Sequence, residues 1–271
     1  MVDLPVEHVP HSDFPEIRAG NLGVLATQDK AYVRAAQKLR YKIFFGELGG
    51  VSHNPDVVAQ QRDFDKFDEH CDHLIVLDHD KETIEEQVVA TYRLMRRKGM
   101  EAVGRFYTEG EFDVSGLKAY DGDIMELGRS CVHEDYRGRA AMQLLWRGIG
   151  EYVASHKVKY MFGCASFSGN DIEEYKLPLS YLYHYHLTPE VVRPKAVAAH
   201  YKSTNLMAKD DIDVKAARAA LPALIKGYLR VNGTIGDGAF IDNECNSIDV
   251  SIVVETDMVT DKYVKRYKTA G

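Results

Sequence analysis

Cysteine is scarce in this chain: four in 271 residues, Cys71, Cys131, Cys164 and Cys245, far apart and with no Cys-x-x-Cys pair. That spacing excludes the common zinc quartets and a disulfide framework. Two of the four lie in apolar, strand-like runs, where cysteine packs as a small hydrophobe. A reducing compartment with neither metal nor disulfide is the expectation. Long apolar runs are also missing, none approaching the roughly 18 residues that cross a bilayer. Residues 1–20, with Asp3, Glu7, Asp13, Glu16 and three prolines, lack the basic flank and apolar centre of a signal peptide. No basic excess exists: 34 Lys and Arg against 41 Asp and Glu leave a net charge of −7, which argues against a nucleic-acid binder. A Gly-x-Ser-x-Gly elbow and a Gly-x-x-x-x-Gly-Lys-Ser/Thr loop are both absent, which removes support for serine hydrolases and P-loop enzymes. His184 and His186 stand two apart and diverge on either a strand or a helix, so they are not read as metal ligands.

What is present is ordinary globular composition, 45% hydrophobic and 28% charged. The length suits one large domain, or one with an extension, and no repeat or low-complexity segment interrupts it. An irregular arm is expected over 1–20, then a strand over Leu22–Thr27. A helix follows from an Asp29 cap to Leu48, stopped by Gly49-Gly50. Residues 53–70 read as a polar loop. His73–Asp78 and Gln87–Leu94 read as an antiparallel strand pair, and Ile124–Val132 as the next strand. Gly138–Ala154 is an amphipathic helix, with Met142, Leu145, Trp146, Ile149, Tyr152 and Val153 on one face. A buried strand (Tyr160–Ala165) follows, then helices over 170–186, bounded or kinked at Pro178, and over 215–229. Strands at Ala239–Ile241 and Ser247–Glu255 and a helix at Asp261–Tyr267 close the chain. Hairpin spacing followed by a strand–helix–strand crossover predicts an α+β, mixed-sheet fold.

The chemistry concentrates in Glu126-Leu-Gly-Arg-Ser-Cys-Val-His-Glu-Asp-Tyr-Arg-Gly-Arg139. Glu126 lies inside an apolar strand; a covered carboxylate has a raised pKa and suits a general base, while a salt bridge to Arg129 is the structural alternative. Gly128 signals a bulge or a close ligand approach, or simple packing. Arg137-Gly138-Arg139-Ala140 opens a helix, whose free N–H groups form an anion site. Arg40 and Phe44, four apart, share a helix face. Asp65 and Asp68 are read as turn residues, as a cation pocket or as partners for arginine. The basic clusters Arg96-Arg97-Lys98, Arg137 with Arg139 and Arg147, and Lys157 with Lys159 read first as solvated surface. The aromatic stretch Tyr181–Tyr185 reads as core or as the wall of an apolar groove.

The strand–loop–helix block resembles the central motif of the GNAT-type N-acyltransferases. Arg40 with Phe44, Asp65 with Asp68, Arg93, and Glu126 with Arg129 follow in the order found in acyl-homoserine-lactone synthases, although the tryptophan expected after Phe44 is missing. A broader resemblance is to ornithine–acyl carrier protein N-acyltransferases. It runs from Leu39–Phe44 through the Glu-Leu-Gly-Arg block, Phe162–Phe167, Pro222–Leu229 and Gly236–Gly238 to Ser247–Val250. It implies a GNAT-like αβα sandwich with a mostly antiparallel central sheet: a core over about 21–168 and a family-specific extension over about 169–271. It implies transfer of a 3-hydroxy fatty acyl group from acyl carrier protein to the α-amine of ornithine. Glu126 and Arg129 would be catalytic; Arg40, Phe44, Asp65, Asp68 and Arg93 would bind substrate. Gly128 and the Arg137–Ala140 turn would take the phosphopantetheine arm, with no permanently bound cofactor and no metal. Ala140 and Met142 stand where coenzyme A users carry small closing residues, which favours the carrier-protein donor. A cytoplasmic chain follows, with peripheral contact at the inner membrane left open. Rival readings are acylation of another amino acid, lactone synthesis, or a non-catalytic acyl-binding module.

Overall fold

The computed structural model describes residues 14–243 and 245–258. The elements, in chain order, are β1 (Ile17–Ala19), β2 (Leu22–Thr27), α1 (Lys30–Tyr41), α2 (Pro55–Gln60), β3 (Asp72–Asp78), α3 (Ile84–Gln87) and β4 (Val88–Arg96). Then come α4 (Arg97–Val103), β5 (Phe112–Asp113), α5 (Ser115–Lys118), β6 (Ile124–Val132), α6 (Arg139–His156) and β7 (Tyr160–Ser168). The remainder comprises α7 (Lys176–His186), β8 (Lys195–Ala196), β9 (Tyr201–Lys202), α8 (Val214–Ala220), α9 (Ala223–Arg230), β10 (Thr234–Ile235), β11 (Ala239–Asp242) and β12 (Ser247–Glu255).

The main sheet runs β1-β2-β3-β4-β6-β7-β12-β11-β9, with β10 added on β12. Its pairs are antiparallel except β6–β7, and a parallel pair requires a crossover, which α6 supplies. Side-chain alternation sorts the faces. Leu74 and Val76 of β3, Leu127 of β6, and Ile248, Val250 and Ile252 of β12 meet Leu145, Ile149 and Tyr152 of α6 and Ile225 of α9 in the larger core. On the opposite face, Ile75 and Leu77 pack with Ala36, Leu39 and Ile43, while Ile124, Phe162 and Val253 pack with Phe106, Phe112 and Leu117. Helices and loops thus cover both faces, as an α+β sandwich requires.

Asp29 caps α1 by accepting from the N–H groups of Ala31 (2.8 Å) and Tyr32 (3.4 Å), and a wider π turn (Lys42–Glu47) carries the helix to Leu48. Three expectations need correction and a fourth, at Pro178, is settled between its alternatives. The loop over 53–70 contains α2, capped by Asn54 and opened by Pro55, where a missing N–H costs nothing. Residues 215–229 form two helices, because Pro222 forces Leu221 out of helical geometry. Of the two outcomes expected at Pro178, the kink does not occur: Pro178 lies in the first turn of α7 and bounds it at its N-terminal end. The N-terminal arm includes β1, paired with β2. Residues 1–13 and the helix expected at 261–267 lie outside the described residues.

One contact fixes how closely β6 and β7 approach: a Cβ placed on Gly163 would lie 2.1 Å from the Leu127 carbonyl oxygen. Gly163→Ala must therefore push the parallel strands apart. We expect a loss of about 1–3 kcal/mol in unfolding free energy, the range for overpacking, read from the urea midpoint at pH 7.

Candidate active site

The parallel pair β6–β7 is short. Ile124, Met125 and Glu126 face Tyr160, Met161 and Phe162; beyond them β6 pairs only with β4, and β7 only with β12. The sheet splits just past Glu126, beyond the close approach of Leu127 to Gly163. A Cβ on Gly128, next on the same face, would meet no atom within 4 Å.

Glu126 is buried, and its carboxylate is held by the segment that follows α4. Oε2 accepts from the Tyr107 N–H at 2.9 Å, and Oε1 accepts from the Thr108 N–H at 2.5 Å and from the Thr108 hydroxyl. Burial pushes its pKa above the usual carboxylate range, while the hydrogen bonds pull it back only in part. Arg129 does not pair with it; its guanidinium turns to Asp63 and Asp65.

Residues three apart on a regular strand point to opposite faces. Here an extra residue in β6 shifts the register, Thr91 facing Cys131 but Arg93 facing Gly128. Arg129 adopts a left-handed conformation (φ 51°). This bulge returns Arg129 to the face of Glu126: both meet Tyr107, Glu126 at its N–H and Arg129 over its ring at 4.8 Å. The sequence marked the bulge at Gly128; the strained residue is its neighbour.

An ion-pair network lies behind the split. Arg40, fully buried, donates to Asp63 Oδ2 (2.7 Å), to the Asp63 carbonyl and to Asp68 (2.9 Å). Arg93 donates to Asp65 (2.7 Å) and Asp68 (3.1 Å). Arg129 is held more loosely, 3.3 Å from Asp63 without hydrogen-bond alignment and 3.8 Å from Asp65. Phe44 closes this end, 5.8 Å below the Arg129 guanidinium. Burial would raise the Asp68 carboxyl, but Arg40 and Arg93 hold it well below its usual range. His73, in register with Arg93, is lowered to about 4 by burial and by Arg40.

Arg137 is exposed, donating to the Val132 carbonyl (3.2 Å) and pairing with Glu47. Gly138 precedes α6 without a side-chain cap, Arg139 begins the helix, and Ala140 lies exposed in its first turn. Tyr181 joins the larger core and Tyr185 is exposed. Arg97, expected in solvent, instead donates to the carbonyls of Lys118, Tyr120 and Gly122.

A second group escaped the sequence reading. Glu111, Asp242 and Asp249 place carboxylate oxygens within 4.8 Å of one another. Burial and mutual repulsion raise the carboxyls of Glu111 and Asp249 above the usual range. Asp249 carried the same signal as Glu126, a charge inside an apolar strand. Glu111, Asp63, Tyr107 and Thr108 lie in segments without periodicity.

The split sheet followed by a loop and helix is accompanied by a match of residues 39–147 to the family described as acetyltransferase (GNAT) domain, and relatives over most of the chain are acyltransferases. A solved CoA-dependent acyl-homoserine lactone synthase, BjaI with MTA, shares the fold at a TM-score of 0.50 and 13% identity, covering 90% of this chain and 85% of that one. Over most of its length the chain is 42% identical to the L-ornithine N(alpha)-acyltransferase of Rhodobacter capsulatus, covering 89% of this chain and 92% of the relative. It is 39% identical to that of Brucella abortus, covering 92% and 90%. The chain belongs to the L-ornithine N(alpha)-acyltransferase family. Among the described residues no helix is long and apolar enough to cross a membrane.

Two outcomes follow for the network. Asp68→Asn leaves Arg40 and Arg93 short of a counter-charge and should cost roughly 3–5 kcal/mol of unfolding free energy in urea titrations. His73 has a folded pKa near 4 against an ordinary 6.5, so between these values the unfolded chain binds the extra proton. Its contribution to stability is therefore full above 6.5 and lost as pH falls toward 4. Urea midpoints measured across that window should fall with acidification, and less steeply in His73→Gln.

Proposed function

We propose that the chain transfers a 3-hydroxy fatty acyl group from the phosphopantetheine thioester of acyl carrier protein to the α-amine of L-ornithine, giving lyso-ornithine lipid. The observation that carries this reading is the raised Glu126 carboxylate at the point where β6 and β7 separate. Glu126 takes a proton from the α-ammonium, and the freed amine attacks the thioester carbonyl. The C–N bond forms, the C–S bond breaks, and the departing sulfur takes one proton from the amine. The other passes from Glu126 to solvent. Backbone N–H groups at the Gly128–Arg129 bulge would hold the oxyanion, an interaction worth about 3–4 kcal/mol per donor where measured.

The clamp for the amino-acid carboxylate is assigned to Arg129 rather than Arg93. The Arg93 side chain is 4% exposed with two short carboxylate partners, whereas that of Arg129 is 23% exposed and has looser contacts. Arg40, Asp65, Asp68 and Arg93 then act by holding Arg129 and the Tyr107 segment in place, and Phe44 by backing the guanidinium. The uncapped start of α6 with Arg137 takes the single pantetheine phosphate, and basic groups around it meet the acidic carrier protein. The lipid product makes membrane contact part of the same reading, with Leu48 (63% exposed) and Val51 (59%) presented just past α1.

Purified protein given 3-hydroxyacyl carrier protein and mixed amino acids should yield 3-hydroxyacyl-ornithine by mass spectrometry; a different acylated amino acid changes the acceptor assignment. Faster turnover with coenzyme A thioesters would sink the donor assignment. Glu126→Gln should lower kcat/KM by about 10²–10⁴. In the unaltered enzyme the acidic limb of kcat/KM should have its midpoint above the usual carboxylate range, because Glu126 must ionise to act. Near-normal turnover by a folded Glu126→Gln removes the base.

A further inference from the structure

We propose that Glu111, Asp242 and Asp249 form the subsite that receives the side-chain ammonium of the amino-acid acceptor. The proposal rests on amine acylation at Glu126 and adds what selects a diamino acid. Register places the parts on one sheet face. Glu126 stands beside Phe162, and Cys164 follows on the same face of β7. Ser251 faces Cys164 and Asp249 faces Ser166 across β7–β12. Asp242 comes from β11, whose residues pair with the start of β12. Glu111 arrives on the segment whose Tyr107 and Thr108 N–H groups hold Glu126. Thr108 ties the two sites together: its hydroxyl donates to Glu126 and lies 3.8 Å from the Cys164 sulfur.

Glu111 and Asp249 are short of positive charge. Among the described residues neither Glu111 nor Asp249 forms an ion pair with a basic side chain, although carboxylate oxygens of the three acids lie within 4.8 Å. Two buried polar atoms here have no hydrogen-bond partner, Glu111 Oε2 and Ser251 Oγ. Glu111 is 9% exposed and Ser251 fully buried. Buried carboxyls left unsatisfied are costly, and among the described residues the arginine whose charge reaches Glu111 is Arg129, which is committed to Asp63 and Asp65. A primary ammonium brings one positive charge and three donors, which matches a ring of carboxylates with a hydroxyl beside it. Burial keeps the Cys164 thiol protonated, so it adds no further charge. Ornithine would then be held at three points: its carboxylate at Arg129, its α-amine at Glu126 and its δ-ammonium in this cluster. Three carboxylates also suit a divalent cation. The link through Thr108 to the reacting end favours the ammonium.

The experiment compares ornithine with norvaline, which has the same carbon skeleton and no δ-amine. In the unaltered enzyme kcat/KM for ornithine should exceed that for norvaline by about 100-fold or more, because norvaline leaves buried polar groups unpaired. Glu111→Gln and Asp249→Asn should each lower that ratio by about 10- to 100-fold, chiefly through KM for ornithine. Comparable use of norvaline by the unaltered enzyme overturns the subsite without any variant, as does an unchanged ratio in both folded variants. Melting temperatures without acyl donor separate this from the transfer reading. An ornithine-specific rise that is lost in the variants supports the subsite even where no acyl transfer is seen. Equal shifts by ornithine and norvaline overturn it even where transfer is seen. Calorimetric binding of Mg²⁺, Ca²⁺ or Mn²⁺ that the variants abolish, with the ornithine preference unchanged, would reassign the cluster to a metal.

Discussion

Arg40 is the hinge of charge on which the site depends. A guanidinium with no exposed surface is tolerable only where every donor direction meets an acceptor, and Asp63 and Asp68 meet it from the segment between α2 and β3. Those aspartates are in turn shared with Arg93 and Arg129, which come from two different strands. Charge alternates across the group, so α1, the aspartate loop, β4 and β6 are fixed to one another by directional bonds rather than by apolar packing alone. The aromatic rings of Phe67 and Tyr107 lie 5.6 and 5.5 Å from the Arg93 guanidinium and limit its movement further.

The bulge in β6 uses that rigidity to set Glu126 and Arg129 against one segment, at Tyr107. Without the extra residue, Glu126 and Arg129 would serve opposite faces of the sheet. A left-handed non-glycine residue costs on the order of 1 kcal/mol or more, and the network that holds the Arg129 side chain opposes its relaxation. Polar groups fixed in advance around a covered carboxylate need little reorganisation when charge shifts during reaction. The Tyr107–Thr108 segment contributes to the same preorganisation from the other side.

Much of this was legible in the chain. Leu22–Thr27 and Ile124–Val132 were legible with their observed bounds, because apolar strands between turn residues carry a strong pattern. So was α6, expected over Gly138–Ala154 and observed over Arg139–His156, because its apolar face repeats over about three turns. The Glu-x-x-Arg spacing singled out two residues that the structure sets against Tyr107, and Asp65 and Asp68 were read among other things as arginine partners. The π turn after α1 was not legible, since it preserves the apolar face of an ordinary helix. The break at Pro222 was legible and went unread. The displacement of strain from Gly128 to Arg129 depends on register against β4, and the meeting of Glu111 with Asp242 and Asp249 depends on strand order. Neither register nor order is written locally in a sequence.

The order of synthesis gives the β7–β12 ladder a further meaning. The two strands pair over nine positions, Ser168 with Ser247 through Tyr160 with Glu255, so β7 waits for a partner made roughly 80 residues later. Until β12 leaves the ribosome, β7 presents an open edge, the kind of surface that recruits stray strands. A chain stopped short of β12 would hold Glu126 and the arginine network beside an unfinished sheet. Completion of translation therefore acts as a checkpoint, and premature termination would give an aggregation hazard rather than a partly active enzyme.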